Sequence, residues 1–162
     1  ARIRPDVPAM VAWINAHFHA RIYEDAYSPL CLITNTNGDM DRILAHLDHY
    51  CRRVPDLTVV RNDVYARFSH RAYNKGTALA EITRRLGLGR DEVFAAGDHL
   101  NDLPMLSRAY AAYLAAPANA VPQVQAAVRE QGGYVSQAPQ GTGVAEALRY
   151  YLGAGGEQRT LK

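Results

Sequence analysis

The stretch DEVFAAGDHLNDLPML, Asp91 to Leu106, sets an apolar run directly against a polar turn. Glu92 to Ala96 reads as a buried strand that runs straight into Gly97-Asp98, and Leu103 to Leu106 reads as the start of a further helix. Open α/β sheets bind ligands outside the carboxyl ends of their strands. Two carboxylates, Asp98 and Asp102, with the Asn101 amide between them, are costly to desolvate there unless something cationic compensates them. Hard oxygen donors with few protein contacts suit magnesium, which keeps several waters and leans on substrate phosphate. Gly97 lets the backbone turn tightly and a ligand approach. The same residues also suit an ordinary strand-to-helix loop in which Asp98 or Asn101 caps the next helix.

Outward from this stretch the chain alternates regularly. Upstream, Leu79, Ile82 and Leu86 are expected to face a core from a helix that Gly87 can end. Downstream, Tyr110 to Ala115 reads as a strand, and Val121, Val124 and Val128 mark a helix ended by Gly132-Gly133. Tyr134 to Ser136 is a short strand, and Val144, Leu148, Tyr151 and Leu152 line a last helix. Such alternation implies an α/β fold, a parallel sheet with helices on both faces. Residues 1–72 are less regular and read as an α+β module. A helix is expected over Pro5 to Phe18 and a strand over Pro29 to Thr34. Next comes a helix capped by Asp39, with Ile43, Leu44, Leu47 and Cys51 on one face, and then strands at Leu57 to Val60 and Val64 to Phe68. The expected organisation is therefore 1–72, 73–153 and a tail at 154–162, with no internal repeat.

Composition narrows the function classes. The 162 residues are 48% hydrophobic with a net charge of +2, which excludes disorder as the main state. Sixteen Arg stand against two Lys, but acids nearly balance bases and no basic run appears, so no nucleic-acid partner is expected. Cys31 and Cys51 read as small core hydrophobes. His46 and His49 stand three apart without an accompanying metal motif, and no CxxC occurs. No stretch approaches the roughly 18 apolar residues of a membrane span, so a cytoplasmic location without a membrane partner is the expectation.

The second signal is Lys75, in Tyr73-Asn74-Lys75-Gly76, the one Lys besides Lys162. In an Arg-dominated chain it marks a place for a compact ammonium instead of a planar fork. At a helix start it can neutralise phosphate and nearby carboxylates; the same position also suits a solvated helix-terminal Lys.

Together, a Lys-Gly that opens a helix, then a strand, then Gly97-Asp98-x-x-Asn101-Asp102 resembles the haloacid dehalogenase superfamily of phosphohydrolases. The branch it resembles carries a large inserted cap and includes the Cof-type and sucrose-phosphate phosphatases. The resemblance rests on VYARFSHRAYNKGTALAEI, DEVFAAGDHLNDLPML, LAAPANAVPQV and GTGVAEAL, within residues 64–152. It implies a partial Rossmann-like core with part of an α+β cap. It also implies a magnesium-dependent hydrolase of a small phosphorylated metabolite, a sugar phosphate in this branch, acting through an aspartyl-phosphate. Carried over by position, Lys75 binds phosphate and Asp98 is a magnesium ligand. Asp102 supports the metal through water or orients Lys75, and Asn101 contacts phosphate or an outer-shell water.

The family's amino-terminal DxD, which supplies the nucleophile, has no counterpart at a strand end. Asp39-Met40-Asp41 starts an amphipathic helix instead and is a poor match. The expectation is that the chain begins, at Ala1, inside the cap and lacks the first core strands. The strand at 92–96 then has an exposed edge, completed by a missing N-terminal segment, a second chain or an exchanged copy in a homo-oligomer. The alternative is a non-catalytic module of the same fold serving ligand binding or assembly. Asn62, Arg67, His70 and Arg71 lie where a cap returns to a core, Asn119 lies at the same sheet edge as Asp98, and His99 reads as a solvated loop residue.

Overall fold

The structure, a computed structural model, describes residues 2–158. It divides into two units, Ala1–Tyr73 and Asn74–Lys162.

In the first unit, α1 (Val7–His17) leads into β1 (Ala20–Tyr23) and β2 (Cys31–Thr34), then α2 (Asn37–Cys51), β3 (Leu57–Asn62) and β4 (Tyr65–His70). The strands form one antiparallel sheet in the order β1-β2-β4-β3. Its core joins the helix stripe Met10, Ile14, Met40, Ile43 and Leu47 to Leu30, Leu32, Ala66 and Phe68. The cap of α2 is Thr36 and not the expected Asp39: the Thr36 hydroxyl accepts the Asp39 N–H and donates to the Asp39 carboxylate. A residue three positions into the helix is well placed to answer a Thr cap, so the acid reinforces the start that the Thr makes. The strand β1 was not expected. Cys31 and Cys51 are buried and unpaired, and burial pushes the Cys51 thiol up to about 11, out of the reactive range.

The second unit runs α3 (Lys75–Leu86), β5 (Phe94–Ala96), β6 (Tyr113–Ala116), α4 (Pro122–Glu130), β7 (Tyr134–Val135) and α5 (Gln140–Gln158). Its three strands are parallel in the order β5-β6-β7, as an α/β alternation requires. Among the described residues, β5 pairs on one side only. Val93, Ala95, Leu106, Leu114, Val124 and Val128 form the core.

Three expectations are corrected here. Leu103 to Leu106 forms turns and no regular helix: Pro104 has no N–H to donate, and Met105 and Leu106 both turn back on the Asp102 carbonyl, a single turn that is not continued. Ile82 and Leu86 are 54% and 67% exposed, so only Leu79 of that stripe packs on the core. The last helix continues to Gln158 where a tail was expected from 154, while residues 159–162 of that tail lie outside the described residues.

Candidate phosphate and cation site

The α3 start is built by its own sequence. The Asn74 side chain accepts the N–H groups of Gly76 and Thr77, which fixes the first turn and leaves Lys75 as the first helical residue. Gly76 is buried against the loop after β5: a Cβ there would lie 2.2 Å from the Pro104 carbonyl oxygen and 2.9 Å from Tyr110 Cε2. The close approach holds the helix start against that loop.

On the other side, β5 ends in Gly97, and a 3-10 turn spans Leu100–Asp102. The turn folds Asp102 back beneath the strand end. Its Oδ2 accepts the N–H of Asp98 at 2.9 Å and that of His99 at 3.1 Å. Its Oδ1 accepts from the Lys75 ammonium. The Asp102 side chain is 6% exposed and that of Lys75 49%, so the pair reaches from the interior to the surface. Burial pushes the Asp102 carboxyl up, but the Lys75 ammonium and the two N–H groups outweigh it and hold the group below the ordinary carboxylate range. Position 97 must be Gly, because a Cβ there would meet Asp102 Cβ at 2.4 Å.

Lys75 and Asp102 are thus brought together, the orienting contact that the resemblance implied as one of two roles for Asp102. Asp98 stands beside them with an exposed side chain, bonded through its main chain to Asp102 and to Val121, whose N–H it accepts at 2.9 Å. Neither Asp98 nor Asn101 supplies the side-chain cap that an ordinary loop would use; the carboxylate that takes the turn's N–H groups is Asp102. Asn101 is half-buried on the same turn. His99 is half-buried with an unpartnered Nδ1, so the expected solvated ring is not found. Among the described residues no three His, Cys, Asp or Glu side chains converge as a metal cluster.

Asn119 lies in the second unit beside Asp98, and the other candidates lie in the first. Asp39 is bonded to Arg42 and Thr36, and Asp41 to Arg61. Arg67 faces Asp25 at 3.7 Å, the His70 ring accepts the Ala72 N–H, and Arg71 donates to Leu57. His70 also lines a cavity of about 560 Å³ with Arg4, Asp25, Tyr27 and Phe68.

A family model for haloacid dehalogenase-like hydrolases matches residues 14–148. The chain belongs to that family. Among curated relatives of this haloacid dehalogenase-like chain, a phosphoglycolate phosphatase of Methanothermobacter thermautotrophicus is 39% identical over 49% of the chain and 34% of the relative. One of Methanothrix thermoacetophila is 28% identical over 85% of the chain and 58% of the relative. The chain therefore spans between about a third and three fifths of these relatives. The sucrose-phosphatase structure of a Synechocystis species shares the fold, with a TM-score of 0.62 at 15% identity over 89% of this chain and 62% of that one. No helix among the described residues is long and apolar enough to cross a membrane.

Proposed function

We propose that the whole protein is a magnesium-dependent phosphatase of a small phosphorylated metabolite, and that this chain carries the half of its site that binds phosphate and cation. The Lys75–Asp102 pair at the carboxyl end of β5 is the observation that carries this reading. The relatives named as phosphoglycolate phosphatases and the fold shared with a sucrose-phosphatase support a sugar phosphate or similar small phosphate ester.

In this reading Lys75 directs its ammonium toward the transferring phosphoryl group and stabilises the charge there. Asp102 sets the direction of that ammonium. Its oxygens are already occupied by one ammonium and two N–H groups, so it supports a cation through water or through Lys75. Asp98 has exposed hard oxygens and fits magnesium, a cation that takes one or two carboxylates and keeps its waters. When bound, that ion would neutralise and orient phosphate. Asn101 offers its amide to phosphate or to an outer-shell water. The nucleophilic aspartate comes from outside this constellation. The free side of β5 supports its arrival on a further strand, from an additional segment or from another copy.

The reading is tested with the chain as it stands. Inorganic phosphate with Mg²⁺, followed by ³¹P line broadening, is expected to bind, and Lys75→Ala or Asp98→Asn is expected to remove the effect. Release of phosphate from an aryl phosphate is expected to be absent. Robust turnover that survives Asp41→Ala but vanishes with Asp98→Ala would place a nucleophile in this chain and overturn the division of labour.

A further inference from the structure

The loop after β6 grips Asp98 from two directions. Its Val121 N–H donates to the Asp98 carbonyl at 2.9 Å, and Asn119 Nδ2 faces Asp98 Oδ2 at 3.4 Å. The second contact is long for an N–H···O bond and lies at the surface, where the carboxylate is exposed. The other end of the Asn119 amide is better defined. Its Oδ1 accepts the backbone N–H of Gln140 at 2.5 Å. A backbone N–H can only donate, so the atom facing it must be the amide oxygen, and the NH₂ group is left to point at Asp98.

Gln140 is itself held in place. It opens α5 with a φ of 51°, in the left-handed region that a non-glycine residue adopts only when its surroundings fix it. Those surroundings are a set of bonds over the β7–α5 connection. The Glu146 carboxylate accepts the N–H groups of Gln137 and Ala138, Ser136 Oγ donates to the Gly143 carbonyl at 2.6 Å, and Ala138 accepts the Ala118 N–H at 3.0 Å. The path from the start of α5 to the Asp98 carboxylate is therefore continuous: Gln140 N–H, Asn119 amide, Asp98 Oδ2.

We propose that Asn119 is a positioning residue for Asp98, its amide locked by the Gln140 N–H so that it aims the carboxylate at a bound divalent cation. This rests on the proposed cation role of Asp98. Amides that orient a ligating carboxylate are worth about 10–100-fold in metal affinity when removed.

Mn²⁺ is the probe, and paramagnetic broadening of the chain's amide signals is the readout, which needs no turnover. Wild type is expected to show broadening centred on residues 97–102 and 117–121. Asn119→Ala is expected to raise the Mn²⁺ concentration required by about tenfold, within the range cited for outer-shell partners. The control is Gln125→Ala, because the Gln125 side chain holds the same loop through the carbonyls of Ala118 and Ala120, both at 3.0 Å, without touching Asp98. It is expected to leave the Mn²⁺ response within about twofold, well short of the outer-shell range. Equal weakening by both variants would make Asn119 a mere loop support, and an unchanged response in Asn119→Ala would likewise overturn the proposal. Asn119→Ser, too short to span both partners, gives the same reading should the Ala variant not fold. No broadening at Asp98 in wild type would instead remove the cation reading on which the proposal stands.

Discussion

Gly97 and Asp102 are packed so closely that a Cβ on residue 97 would lie 2.4 Å from Asp102 Cβ and 2.9 Å from its Oδ2. Gly97→Ala therefore pushes Asp102 away from the Asp98 and His99 N–H groups. Overpacking of this kind costs about 1–3 kcal/mol. The expected outcome is a lower urea midpoint together with weakened phosphate binding; a variant as stable as wild type would show that the strand end tolerates a side chain.

Gly76→Ala offers a sharper test, because two effects oppose each other. In an exposed helix the change gains about 1 kcal/mol from backbone propensity. Here the new Cβ would stand 2.2 Å from the Pro104 carbonyl oxygen, a backbone atom that cannot swing aside. Thermal unfolding is expected at a lower temperature than wild type, against the propensity trend.

Asp102 gives the chain a pH signature. Its carboxyl is held below the ordinary range in the folded state, so its contribution is full above the unfolded value of about 3.9 and is lost as pH falls through the folded value. Stability is thus expected to drop below about pH 4, where the unfolded group begins to bind its proton. Asp102→Asn should be less stable near neutrality and lose part of that acid-side slope. The loss should fall short of the 3–5 kcal/mol typical of breaking a fully buried pair, since the Lys75 side chain is 49% exposed. Denaturant titrations of both proteins between pH 3 and pH 6 at constant ionic strength, roughly the span over which a carboxylate titrates, would show parallel curves if the pairing contributed nothing.

Two apolar positions should behave oppositely. Leu106 is 1% exposed in the core of the second unit, and Leu106→Ala is expected to cost about 2–5 kcal/mol. Leu86 is 67% exposed, so Leu86→Ser should stay within about 0.5 kcal/mol in this chain. A large loss at Leu86, read from the same urea melts, would mean that something covers that face in solution.

The candidate site was legible because its parts are local. The run from Glu92 to Ala96 stops at a Gly followed by acids, and Lys75 follows its Asn cap directly, so strand end and helix start both stand in the sequence. What the spacing left open was the division of roles. That Asp102 lies inside and Asp98 outside depends on a 3-10 turn over Leu100–Asp102, three residues that carry no apolar periodicity to announce it. The strand β1 escaped notice because four residues with one side chain in two exposed carry little periodic signal. Ile82 and Leu86 follow the spacing of a buried helix face. Periodicity states which face is apolar and says nothing about what lies against it. The Asn119 contacts were hidden for a related reason, since they join residues 21 positions apart on either side.

Both oxygens of Asp102 are engaged by groups of the fold itself, and this determines when the cost of ordering the lysine is met. The four-carbon arm of Lys75 is settled as the chain folds, not when an anion arrives, so capture spends little rotamer entropy at that end. If Lys75 meets phosphate as proposed, the arrangement favours quick, reversible residence over tight retention, because an ammonium already shared with a carboxylate gives an incoming oxyanion only part of its field.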